Sequence, residues 1–179
     1  MRIILILAGV LLLTPMLAGA TDVPARSPQL QALDISVGKW VYHGTTPATA
    51  TAKAGTWTWN ADCTWSANQN FLMCSFSNVW SGKIVKSLVV DTWNDTDKTY
   101  WHYEMFAASD SGAKPFISRM SIKGNVWTEY GTSEGKGKKT AYRIIYRYSS
   151  PTRVTVKLET SKEGGAWTTF AEGTGIKQS

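Results

Sequence analysis

From Lys39 onward the sequence is punctuated by turn clusters at short intervals, and this punctuation restricts the chain to an all-β succession of hairpins. Short runs rich in Trp, Tyr, Thr, Val and Ile alternate with Ala67-Asn68-Gln69-Asn70, Asn94-Asp95-Thr96-Asp97, Ser109-Asp110-Ser111-Gly112, Lys123-Gly124-Asn125, Glu134-Gly135-Lys136-Gly137, Ser149-Ser150-Pro151 and Glu163-Gly164-Gly165. Connections this short force neighbouring strands to be antiparallel. About eight to ten strands are expected.

One hairpin carries its own register. Cys63 and Cys74 are the only cysteines, and they lie symmetrically about the Asn68-Gln69 midpoint. In that register they face each other, and Trp65 opposes Leu72, Ala61 opposes Phe76, Trp59 opposes Asn78 and Trp57 opposes Trp80. The cysteine face is apolar, while Thr56, Thr58, Asn60, Asp62 and Thr64 share the other face opposite Ser75 and Ser77. Period-two alternation and cysteine placement thus agree. A Cys63–Cys74 disulfide is expected, with a scaffold role worth roughly 2–3 kcal/mol for so short a loop. A catalytic dithiol would more often bring its cysteines close together at a helix start.

Later strands alternate in the same way. Trp101, Tyr103 and Met105 oppose His102 and Glu104, and Val154, Val156 and Leu158 oppose Thr155, Lys157 and Glu159. One face is expected buried and the other wet. A two-sheet sandwich fits this pattern, but the simple succession of hairpins favours an up-and-down barrel. The only helix expected in the mature chain opens at Ser27-Pro28 and carries Leu30 and Leu33 on one side.

The N-terminus reads as an export signal: Arg2, an unbroken apolar run from Ile3 to Leu13, then Pro15 and the small residues Ala18-Gly19-Ala20. The apolar run is too short for the roughly 20 residues of a membrane-spanning helix. The expected division is a signal peptide over 1–20, a mobile leader over 21–27 and one domain over 28–179, with the mature protein periplasmic or secreted. Leu17-Ala18-Gly19 resembles the start of a lipoprotein box, but Ala20 stands where the lipid-bearing cysteine would be. No membrane anchor is expected after cleavage. The chain has 19 basic and 13 acidic residues, a formal net charge of +6 to which Arg2 contributes one. The lysines are scattered, which favours solubility over nucleic-acid binding. An even cysteine count in an exported chain also favours a disulfide. A metal site built on the two cysteines lacks further ligands, because the only histidines are His43 and His102.

Three patterns resemble a known group. Leu30-x-x-Leu33 followed by Gly38-Lys39-Trp40 is similar to the G-x-W opening of lipocalin-like barrels. The Cys63-x-Trp65 and Phe71-x-x-Cys74 hairpin is the second pattern. The third, Ser161-x-Glu163-Gly164-Gly165-x-Trp167 followed by Glu172, resembles the S-x-D-G-x-W…E tail of the bacterial family called domain of unknown function 1579, with Glu163 in place of aspartate. Together they span nearly all of residues 28–177. The resemblance implies a lipocalin-like (calycin) barrel and leaves the reaction open, since that family has no established one. The run from Gly38 to Gly44 also resembles the first strand of nitrobindin-type haem barrels. Those hold iron through a histidine near the chain end, whereas no histidine follows His102, so no haem or other cofactor is expected.

Several catalytic motifs match only on paper. Gly131-Thr132-Ser133-Glu134-Gly135 has the G-x-S-x-G spacing, but a nucleophile elbow needs a helix after the serine and a later histidine, and neither follows. The stretch does not fit G-x-x-x-x-G-K-[ST] either. Ser111-x-x-Lys114 and Ser133-x-x-Lys136 fall in polar turns without companion motifs. His102 and Glu104 could converge on one ligand or proton, but they occupy the more polar face and are expected at the surface. Arg119, Arg143 and Arg147 lie within strands, and an inward arginine could hold a carboxylate; their directions stay open.

The chain has nine tryptophans, four of them (Trp57, Trp59, Trp65 and Trp80) on the disulfide face of one hairpin. Facing inward, such rings fill or line a barrel. The first functional expectation is an interior site for a small apolar or amphipathic molecule, lined by Trp57, Trp59, Trp101, Tyr103, Met105, Met120, Tyr142 and Tyr146. An isomerase- or cyclase-type barrel enzyme, marked by an inward acid–base group, is the second. A packed envelope interaction module without ligand is the third.

Overall fold

Strands dominate because β-branched and aromatic residues recur at period two between turn residues. The computed structural model describes residues 25–49, 53–80, 82–106, 115–135, 138–162 and 164–179. The expected signal peptide, most of the expected leader, and the Ser109–Gly112 and Lys136-Gly137 turns lie outside the described residues.

A short helix α1 (Pro28–Gln31) runs into a 3₁₀ turn (Ala32–Ser36). Ten strands follow: β1 (Gly38–Thr46), β2 (Gly55–Trp65), β3 (Leu72–Trp80), β4 (Lys83–Asn94), β5 (Thr99–Phe106), β6 (Phe116–Lys123), β7 (Val126–Gly135), β8 (Lys138–Ser150), β9 (Arg153–Lys162) and β10 (Thr168–Lys177). Each pairs antiparallel with its neighbour in sequence, and β1 pairs with β10 to close the barrel. The up-and-down topology is the expected one.

The β2–β3 hairpin has the mirrored register throughout, with Cys63 opposite Cys74, Trp65 opposite Leu72, Ala61 opposite Phe76, Trp59 opposite Asn78 and Trp57 opposite Trp80. Cys63 and Cys74 are joined in a disulfide that faces the barrel interior, and both are buried. Gln69 supplies the left-handed residue of the turn, at φ 58°.

The helix closes one end of the barrel. Ser27 caps it by accepting from the Leu30 amide, and Leu30 and Leu33 are buried against the core. Each such burial is worth roughly 1.5–3 kcal/mol in transfer terms. Polar bonds fix the cap in place: Trp65 Nε1 donates to Asp34 at 2.8 Å, Trp40 Nε1 to the Ser36 carbonyl at 3.0 Å, and the Tyr100 hydroxyl to the Gln29 carbonyl at 2.9 Å. Arg26 pairs with Asp34 and lies over the Trp65 ring.

Two inward glycines make room for a large ring at the seam. A Cβ at Gly44 or Gly173 would overlap Trp57, whose indole lies across the β1–β10 crossing. Trp57 is buried there, its ring tilted by 35° against that of Trp59 with 4.4 Å between centroids.

The face of β5 differs from expectation. Asp91 of β4 opposes His102, and Val89 opposes Glu104. Tyr100, His102, Glu104 and Phe106 therefore point inward, while Trp101, Tyr103 and Met105 stand on the outer wall. Both faces of this strand carry aromatic rings, so alternation of polarity cannot choose between them. Polar partners inside the barrel decide the matter. The outer rings support one another: Trp101 and Tyr103 stack at 6.0 Å, and the Arg119 guanidinium lies 4.8 Å from the Trp101 ring centre.

Candidate functional site

Away from the helix, the barrel interior opens into a cavity of about 520 Å³. Its walls include Trp59, Phe76, Phe106, Phe116, Tyr142 and Tyr146, and its floor carries His102, Glu104 and Glu129. Below the floor a smaller space of about 50 Å³ continues past Cys63, Cys74, Asp91 and Met120 toward the helical cap. The two spaces meet at Phe76, Val89, His102, Glu129 and Tyr146.

The floor is a connected polar network. His102 Nδ1 lies 2.8 Å from Asp91 Oδ1, and its Nε2 lies 3.9 Å from Glu129 Oε1. Ser118 donates to the same Glu129 oxygen at 2.7 Å, and the Tyr142 hydroxyl approaches it at 3.5 Å. Ser87 donates to Glu104 Oε1 at 2.7 Å. Antiparallel pairing produces this cluster, because β4 to β8 are consecutive neighbours: β4 contributes Ser87 and Asp91, β5 His102 and Glu104, β6 Ser118, β7 Glu129 and β8 Tyr142. Turning β5 over would strip Asp91 and Glu129 of their partner, and buried charges without partners are costly.

Charge in this network follows from burial and neighbours. Burial opposes the imidazolium of His102, but Glu129, Asp91 and Glu104 outweigh it and push the group up to about 10. Burial also pushes the Glu104 carboxyl up, against the pull of the Ser87 hydrogen bond and of His102. The phenols of Tyr142 and Tyr146 are raised as well, first by burial and then by Glu129. At neutral pH the floor thus contains a protonated histidine that donates to Asp91 and faces Glu129.

Of the eight expected lining residues, Trp59, Tyr142 and Tyr146 reach the open cavity, Met120 lines the smaller space, and Trp57 is buried at the seam beside Trp59. Trp101, Tyr103 and Met105 do not contribute to the interior. Glu104, His102 and Glu129 do, although the polarity of the first two assigns them to the surface. The signal for Glu129 is available in retrospect: within Val126–Gly135 it shares alternation with Trp127 and Gly131, so a carboxylate occupies the apolar face. All three strand arginines point outward. Arg119 stacks on Trp101, Arg143 pairs with Glu159 at 2.5 Å and lies over Trp167, and Arg147 is exposed.

Gly131 positions Tyr142. The two are opposed across β7 and β8, and a Cβ at Gly131 would overlap the Tyr142 hydroxyl. The phenol can therefore lie along the β7 backbone, near Glu129, and stack with Phe116 at 5.0 Å. Ser133 sits within β7, and the next element is β8, so the strand-to-helix turn of a nucleophile elbow is absent here. Among the described residues no group of three or more His, Cys, Asp and Glu is arranged to hold a metal ion.

No family model matches the chain, and no curated protein does. Solved structures do. The chain is similar to Rv2717c from M. tuberculosis, with a TM-score of 0.57 and 16% identity over 87% of this chain and 100% of that one. It is also similar to the S-type phycobiliprotein lyase CPES from Guillardia theta, with a TM-score of 0.56 and 11% identity over 86% of this chain and 94% of that one. At such identities the likeness is one of fold alone.

Proposed function

We propose that this protein is an exported member of the domain of unknown function 1579 family that binds a small amphipathic molecule in the open end of its barrel. The observation that carries this reading is the cavity: aromatic walls over a polar floor, open at one end and closed by the helix at the other. Small-molecule sites commonly combine a concave, mostly apolar lining with a few convergent polar groups. Resemblance to a phycobiliprotein lyase is compatible with a ligand-holding interior. The three sequence patterns support the family, and the N-terminal pattern with the internal disulfide supports export.

Native mass spectrometry of protein purified from its own compartment tests the reading, together with quenching of tryptophan fluorescence by a panel of lipids and aromatic metabolites. A bound mass displaced by a quenching compound is the expected result. The absence of both over the whole panel would favour an interaction module instead. A second reading has its own observation: inward His102, Asp91, Glu104 and Glu129 are acid–base groups at the cavity floor. Such groups suit an isomerase that moves a proton within a bound molecule. Deuterium incorporation into that molecule in D2O would separate catalysis from binding.

A further inference from the structure

The interior is chemically one-sided. Among the described residues, neither of its two connected spaces is lined by a lysine or an arginine, while Asp91, Glu104 and Glu129 all face them. Protonated His102 can balance one of these carboxylates. Even with Glu104 set aside, two carboxyl groups face one imidazole in a buried site, where an uncompensated charge is expensive. Three hydroxyl hydrogens at the floor are already committed: Ser118 and Tyr142 point at Glu129 and Ser87 points at Glu104. The carboxylate oxygens keep further acceptor capacity.

A second feature points the same way. Asn78 Oδ1, on the wall of the same cavity, is fully buried and has no hydrogen-bond partner. An orphaned acceptor of this kind calls for a donor from outside the protein. The walls beside it are aromatic faces, which attract cations through their quadrupoles. Lys53 and Lys162 border an adjoining opening between the β1–β2 and β9–β10 connections, away from the floor. They leave the sign of the floor unchanged.

From these features we infer that the cavity selects an organic cation, a molecule with an aromatic or aliphatic body and a protonated nitrogen whose N–H groups meet Glu104, Glu129 and Asn78. This inference rests on the interior-binding reading above and specifies its ligand class. The nitrogen forms charge-assisted hydrogen bonds at the floor, and the body occupies the ring-lined space above it.

The test compares three probes of one shape: naphthylmethylamine, naphthylmethanol and naphthoate, titrated into the full protein by calorimetry at neutral pH. The amine should bind at least about tenfold more tightly than the alcohol, a difference of about 1.4 kcal/mol, and the carboxylate should bind weakest. Glu129→Gln should bring the amine down to the level of the alcohol. Glu104→Gln and Asn78→Val, which remove acceptors nearer the mouth, provide the same comparison should Glu129→Gln fail to fold. Equal affinity for amine and alcohol, or preference for the carboxylate, would overturn the inference while leaving interior binding intact. Failure of all three probes to bind, with no co-purifying molecule, would remove both.

Discussion

His102 Nδ1 and Asp91 Oδ1 meet at 2.8 Å across β4 and β5, inside the barrel and beneath the open cavity. The contact fixes the facing of β5 and holds the imidazole between two carboxylates, since Glu129 lies on its other side.

The first prediction is a pH dependence. His102 is raised from its ordinary 6.5 to about 10. The linked stabilisation is therefore fully present below about pH 6.5 and is lost as pH rises through about 10. Glu104, also raised, acts in the same direction. Asp91, Glu104, Glu129, Tyr142 and Tyr146 are the other titratable groups around the ring. Nitrogen NMR of the imidazole should report a doubly protonated ring at pH 8. A neutral ring at that pH would refute the assignment.

Removing the cation should be costly. His102→Gln leaves Asp91 and Glu129 buried without it, for an expected loss of about 3–5 kcal/mol. Chemical denaturation at pH 7 measures this directly. The loss should shrink toward pH 10, where the wild-type ring also loses its proton.

The glycine opposite Tyr142 offers a different lever. Gly131→Ala places a methyl group where the phenol lies, so Tyr142 must swing away from Glu129. Overpacking of this kind typically costs about 1–3 kcal/mol. Probe affinity should fall along with stability, and a crystal structure of the variant should show the displaced ring. An unmoved Tyr142 with unchanged affinity would mean that the phenol has no part in the site.

Outer-wall and inner-wall rings should separate in a quenching experiment. Replacing Trp101 or Met105 with alanine should leave interior binding unchanged, because both project away from the cavity. Trp59→Ala should change both the quenching amplitude and the affinity, because Trp59 lines the wall.

Peptide mapping without reduction should recover Cys63 linked to Cys74. Their joint replacement by serine should lower stability by roughly 2–3 kcal/mol, the loop-closure contribution of a short cross-link.

Much of the fold was legible because hairpin topology is written locally. The Cys63/Cys74 mirror specified every pair of the β2–β3 ladder, and Ser27-Pro28 marked the helix. The β3–β4 connection carries no such mark, because it is short and lies between two apolar runs. The site was harder to read. In Thr99–Phe106 both faces carry aromatic rings, and a charged histidine or glutamate ordinarily signals solvent. Only the partners Asp91, Ser87 and Glu129, contributed by other strands, make the interior acceptable to His102 and Glu104. Such a cross-strand charge balance cannot be seen along one strand.

The seam between β1 and β10 has a consequence for how the molecule reaches this state. Every other pairing joins strands next to each other in sequence, but the second edge of β1 must wait for a segment from the far end of the chain. Until that meeting occurs, two unpaired edges are exposed, each able to recruit a second molecule. Long-range closure of this kind is slow. The time of greatest danger is thus the interval before the ring shuts, and Gly44 and Gly173, which admit Trp57 at that crossing, belong to the last contacts to form. Substitutions there should therefore mainly speed unfolding and reopen the seam, while leaving the earlier hairpin steps unchanged.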